Sequence, residues 1–268
     1  MHHILLWLLL YLANAFALAE VHSIQHNKAT QQYYSFSVER VKNAEEMLER
    51  LSRKLEAGEV EAAKEDYIKA HYQYESVRPL ILLFPNLNNL VDIRINDLPN
   101  DPNDINFIGF HALEYELFIK HDIARSLVES KKLINNLEVM IHFLEHQEIT
   151  FKHMIDLWPK FIRQILVHKL PGHDSLYSCS GLGEIAANMK GIHLIVHQTR
   201  SLFPEPLYQE FAQVENNIEA ILYRYRSGDL HQPYSKLTNK DRELLKQAVI
   251  HLDHLLIQMN EILSKTLE

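Results

Sequence analysis

What most constrains this chain is how little in it stops a helix. Seven Gly and nine Pro are spread over 268 residues, and between them apolar side chains recur at helical spacing. Residues 31–57 carry Phe36, Val41, Met47, Leu51 and Leu55 at that spacing, and Gly58 follows as a C-terminal cap. A second helix is predicted from Val60 to Leu82, with Tyr67, His71, Tyr74 and Glu75 on its polar and aromatic face and Pro79 near its end. Further helices are predicted from near Gly109 and over 126–150, 151–169, 184–202, 206–226 and 239–265. Thr238, with Asp241 three residues on, gives the last a start like a capping box. No strand is predicted, and a fold rich in tight turns needs more Gly and Pro than this. About eight helices fit an all-α fold of two packed four-helix bundles, divided approximately into residues 20–150 and 151–268.

Residues 1–19 read as a cleavable secretory leader. Ile4 to Leu12 is an almost unbroken apolar run, and Ala17-Leu18-Ala19 supplies the small residues of a cleavage site. The run is short for a membrane span, and no Cys stands near Ala19 to accept a lipid. Cys179 is the single cysteine, so no intramolecular disulfide is available and the apolar core must carry the fold. Hydrophobic residues make up 47% of the chain, which supports a sizeable core. The net charge of -8, without a basic stripe interleaved with aromatics, argues against nucleic acid and suits attraction of cations.

Between the second and third predicted helices, residues 84–106 are rich in Asn, Asp and Pro and lack a sustained period, so they read as a long loop. Structureless loops of this length inside a domain are often functional. His111 and Glu114 follow, three apart on a helix, where an imidazole nitrogen and a carboxylate oxygen can converge on one cation. That donor pair suits iron or zinc, with copper competing on affinity. By spacing alone an HxxE is an ordinary helix pair, and His142 and Glu145 repeat it. The neighbourhood separates the two. His111 and Glu114 adjoin a loop offering Asp92, Asp97, Asp101 and Asp104, and Phe110, Leu113 and Leu117 set their helix against a core. His142 and Glu145 lack such neighbours and read as structural.

His193, His197, His251 and His254 fall at helical spacings and read as polar faces. Ser178, Cys179 and Ser180 lie in a loop with His173, where a Cys–His nucleophile is an alternative to an unpaired loop thiol. The chain holds no G-x-S-x-G, no phosphate loop and no H-E-x-x-H, and no catalytic residue is assigned.

Assembled in order, these segments resemble the imelysin-like family, specifically its EfeO-type component of bacterial iron uptake. Residues 59–79 resemble the family segment leading into Y-E-x-x-x-P, residues 90–98 its I-D-x-R-x-x-D-L stretch, and residues 222–242 its K-Y-x-x-G segment ending in D-R. Residues 108–118, IGFHALEYELF, match G-F-H-x-x-E-x-x-L-[WF] most closely. The resemblance implies two packed four-helix bundles and a metal site with His111, Glu114 and Asp92 as ligands, and Glu75 as the matching acidic residue of Y-E-x-x-E-P. It implies iron as the bound metal, with zinc or copper as alternatives, and a periplasmic protein that passes its metal to a permease alongside a haem peroxidase. The chain resembles a short form without a cupredoxin-like domain. Two departures stand out. Arg78 occupies the place of the second Glu, and in 177–188 Cys179 and Gly181 replace a His and an Asp. The family's classification among peptidases leaves a metal-assisted hydrolase, with Glu114 as base, as one alternative. A cation-bridged binder of acidic polysaccharide is another.

Overall fold

The computed structural model describes residues 2–100 and 104–266, with side chains from residue 27 to 265 except at 101–103 and 154. The predicted leader, residues 1–19, lies outside the described side chains.

Helix α1 (His2–Glu56) stops at Gly58, whose N–H bonds Leu55 O at 3.1 Å while Glu59 N–H bonds Lys54 O at 2.8 Å. The predicted helix 60–82 is two. α2 (Val60–Glu75) ends, the chain steps through Ser76 and Val77, and α3 (Arg78–Ile81) begins with Pro79 in its first turn. Proline has no N–H to give an upstream carbonyl, so it starts a helix more readily than it continues one. The predicted long loop contains α4 (Pro85–Val91), again opened by a proline, which buries Leu87 and Val91. Seven residues are too few for a 3.6-residue period to register against so many Asn. α5 (Phe110–Tyr115) widens into a π turn over Glu116–Lys120.

α6 (Ile123–Glu145) is capped by Asp122, whose carboxylate accepts the Arg125 N–H at 2.9 Å. The predicted helix 151–169 is divided by Pro159 into α7 (Phe151–Ile155) and α8 (Trp158–Gln164), and α8 runs on as a π turn over Ile165–Lys169. α9 (Gly181–Gln198), α10 (Glu205–Tyr223) and α11 (Asn239–Thr266) complete the helices. Thr238 caps α11 as predicted, accepting the Asp241 N–H at 3.1 Å. One expectation fails: β1 (Arg226–Ser227) and β2 (Leu230–His231) form a small antiparallel hairpin. Two residues per strand are too short to show alternation.

The fold is therefore all-helical apart from this hairpin. α1 packs along α2 and α6, α11 lies against α8 and α10, and α2 meets α9. That last contact is close: a Cβ on Gly191 would sit 2.3 Å from Ser76 O. It brings the C-terminal end of α2 against the first turns of α9, and the polar residues of both are buried there.

Candidate metal centre

His71 and Glu75 stand four apart near the end of α2 and point inward together. Arg78 is the first residue of α3, and Asp92 caps the end of α4. A single antiparallel bridge joins Asp92 to Gly109 and sets the register between that end and α5. Gly109 has φ 86°, and a Cβ there would lie 2.3 Å from Val91 O, so only glycine lets the chains approach. His111 follows in the first turn of α5, beside Asp92. Lys169 arrives from the π turn of α8, Asp174 from the loop after it, and Glu184 from the first turn of α9. All nine of these side chains, with Glu114, are buried.

The four residues expected to bind metal are brought together. His111 Nε2 is 3.3 Å from Asp92 Oδ1, and His111 Nδ1 is 3.2 Å from Glu114 Oε2. Glu75 joins through His71, whose Nε2 is 3.5 Å from Glu75 Oε1 and 3.7 Å from Asp92 Oδ1. His71, Glu75 and Asp92 offer donor atoms that all lie within 4.8 Å of one another, and His111 Nε2 joins them at Asp92; Glu114 faces the other ring nitrogen, so it orients the imidazole and does not share an ion with Nε2. The Nε2 atoms of His71 and His111 and both oxygens of Asp92 have no hydrogen-bond partner of good geometry. Buried polar atoms are normally satisfied; here both Nε2 atoms converge on Asp92 Oδ1, while Asp92 Oδ2 lies against Arg78. Of the other loop acids, Asp101 lies outside the described residues. Asp104 binds Asn100 and Asn106 within its own loop, and no ion pair joins Asp97 or Asp104 to the cluster among the described residues.

Cations of the chain itself occupy the rest. Arg78 pairs Glu75 at 2.7 Å and also Asp92, and Lys169 reaches Glu75 at 3.0 Å, Glu184 at 2.8 Å and Asp174. Arg94 closes the outer side on Asp174. Five carboxylates (Glu75, Asp92, Glu114, Asp174, Glu184) thus face three permanent cations. The imbalance equals one divalent ion or two imidazole protons. The imidazoles respond to it: burial disfavours their charge, but Glu184, Asp92 and Glu75 lift His71 to about 10, and Asp92 and Glu114 lift His111 to about 9. Burial works against the Asp92 carboxylate as well, yet Arg78 and the two imidazoles hold it well below the usual range.

The loop before α9 holds Glu114 from outside. Ser178 N–H at 2.7 Å, Ser178 Oγ at 2.6 Å and Tyr177 N–H at 3.2 Å all donate to Glu114 Oε1. Asn188 on α9 donates to Glu75 Oε2 at 2.7 Å. Phe110 stacks on His71 with ring centres 4.6 Å apart, and Tyr67 and Tyr74 are fully buried beside it. Against His111 and Glu114 lies a cavity of about 10 Å³, bounded outside by Arg94, His173, Leu176 and Tyr177. That is room for about one water-sized body.

His71, Lys169, Asp174 and Glu184 escaped the sequence-based assignment. Only His71 carried a local signal, its spacing of four from Glu75. Burial and the Glu114 carboxylate push the Cys179 thiol up, which disfavours the thiolate a nucleophile needs. His193, His197 and His251 pair with Glu215, Tyr208 and Glu210 across neighbouring helices.

Fold and centre define a helical protein with a buried His–carboxylate cluster at the meeting of α2, α4, α5 and α9. The chain belongs to the imelysin family, whose model, Peptidase M75, matches residues 29–259. It is similar to the iron uptake system component EfeO of Escherichia coli K12, at 27% identity over 212 residues. The EfeO proteins of Shigella flexneri and of Escherichia coli O157:H7 match it to the same extent. Each match covers 78% of this chain and 56% of the relative, so the chain spans about half the length of the curated relatives it matches.

Proposed function

We propose that this protein captures a divalent transition metal, with iron as its cargo, in a bacterial iron-uptake system of the EfeO type. His111 and His71 supply nitrogens through Nε2 and Asp92 the central oxygen, with Glu75 beside them, while Glu114 holds the His111 ring from its Nδ1 side. One observation carries the reading: two buried imidazole nitrogens face Asp92 Oδ1, all three without a hydrogen-bond partner of good geometry, in a cluster whose five carboxylates outnumber its three permanent cations. Borderline metals favour this mixed nitrogen and oxygen set, which admits iron, zinc and copper. The relatives' printed role in iron uptake selects iron among them. The predicted leader puts the protein in the periplasm, where it hands its metal to a permease working beside a haem peroxidase.

The two alternatives lose ground on the same geometry. A hydrolytic base must have an oxygen free to take a proton from water, and Glu114 Oε1 already accepts three hydrogen bonds. A polysaccharide needs a cleft, and the cavity at the centre holds about one water. Calorimetric titration of residues 20–268 with ferrous iron and zinc tests the reading. Saturable binding lost in both His111→Ala and His71→Ala is expected. Wild-type protein that binds neither ion ends it.

A further inference from the structure

The centre has two halves of different chemistry. One holds the imidazoles around Asp92. The other holds oxygen donors only: Glu75, Asp174 and Glu184 offer oxygens all within 4.8 Å of one another, the arrangement of a shell for a hard cation. Lys169 Nζ sits among these three, 3.0 Å from Glu75 and 2.8 Å from Glu184, with Asp174 closer still. Arg78 covers the seam between the halves, with one amino group 2.7 Å from Glu75 and 3.8 Å from Asp174 and the other on Asp92. The two cations share Glu75 Oε1 and Asp174 Oδ2, as two metal ions share bridging carboxylates.

We propose that Arg78 and Lys169 are resident counter-ions which fill the oxygen-only half and so determine selectivity, leaving one transition-metal position and excluding calcium and magnesium. The proposal rests on the metal-capture reading and adds the residues that decide which ion is taken. Calcium seeks six to eight oxygens and magnesium six. Here the oxygens that would serve are neutralised, both cations are buried, and the donors left open are two imidazole nitrogens and a single Asp92 oxygen, a set that hard ions take poorly. Entry of a hard ion would require expelling two charges held by four carboxylates.

Equilibrium dialysis of residues 20–268 against cobalt and calcium, with elemental analysis and thermal melts, tests the assignment in wild type, Arg78→Gln and Lys169→Met. Wild type is expected to hold cobalt that millimolar calcium does not displace. Arg78→Gln uncovers carboxylates without a partner. Calcium should bind it tighter than wild type by on the order of tenfold or more and raise its melting temperature. Calcium that displaces cobalt from wild type overturns the proposal, as do folded variants that both ignore calcium. Should either variant unfold without ion, refolding on addition of calcium supports it and failure to refold counts against it. If wild type takes up neither ion while Arg78→Gln takes up calcium, metal capture fails and the counter-ion assignment stands.

Discussion

The chain writes HxxE twice and makes two different things of it. His142 and Glu145 lie near the end of α6, where Glu145 pairs with Lys42 of α1 at 2.7 Å and His142 packs against His146. That glutamate is about two-fifths exposed, and such pairs contribute little in water. His111 and Glu114 have the same spacing at the start of a short helix, yet they are buried among carboxylates and cations contributed by segments from α2 to α9. Spacing sets which side chains can meet. Burial decides whether the meeting has consequences, because removing water magnifies each uncompensated charge.

Four experiments press on that contrast, beginning with the largest effect. His71 and His111 are held protonated more strongly in the folded chain than their ordinary 6.5, at about 10 and about 9. Their contribution to stability is therefore complete below about pH 6.5 and is lost as pH rises through about 9 and then 10, on the order of 8 kcal/mol for the two groups together. Urea melts of chelator-treated protein from pH 6 to 10 should show the decline, and His142→Gln should leave its shape unchanged. A flat profile would mean the buried pair is no different from the exposed one.

Glu114→Ala strips the acceptor from three donors of the 177–178 loop and should cost about 3 kcal/mol. Glu145→Ala should leave the urea midpoint where it is. Equal shifts in the two variants would erase the distinction. His111→Ala should weaken iron or zinc binding on the order of a hundredfold, while His142→Ala changes it less than about twofold by the same calorimetric titration. Gly109→Ala, forced against Val91 O in a backbone conformation that favours glycine, should cost about 2 kcal/mol. It should also move His111 off Asp92, so that metal affinity falls with stability. An alanine variant with wild-type melting would show that the bridge to Asp92 does not depend on glycine.

Much of this was legible in the sequence, and the remainder failed for identifiable reasons. The long helices α1, α6, α9, α10 and α11 announced themselves because each repeats its apolar face over several turns. α4 did not, since one short turn-and-a-half among Asn residues looks like loop, and the hairpin 226–231 is shorter still. His111, Glu114 and Asp92 stood out by motif and neighbourhood. Lys169, in a stretch reading His-Lys-Leu-Pro-Gly, had every local mark of an exposed helix end. Only the packing of α8 and α9 against α2 reveals that it is fully enclosed. Asp174 and Glu184 were hidden likewise: Lys169 is near them in sequence but itself unmarked, Arg94 is 80 residues from Asp174, and no periodicity reports the long reach from Glu184 to His71.

The π turn at the end of α8 ties this enclosure to a single peptide unit. A π turn carries one residue more than the helical turn it replaces, and here Leu170 N–H reaches back five residues to Ile165 O at 2.9 Å. Relaxing this turn to ordinary α geometry with every residue kept would rotate everything downstream by about 100°. The Lys169 ammonium would swing off its three carboxylates without any change to the lysine itself. The centre's charge balance is thus encoded in the wide backbone turn as much as in residue identity.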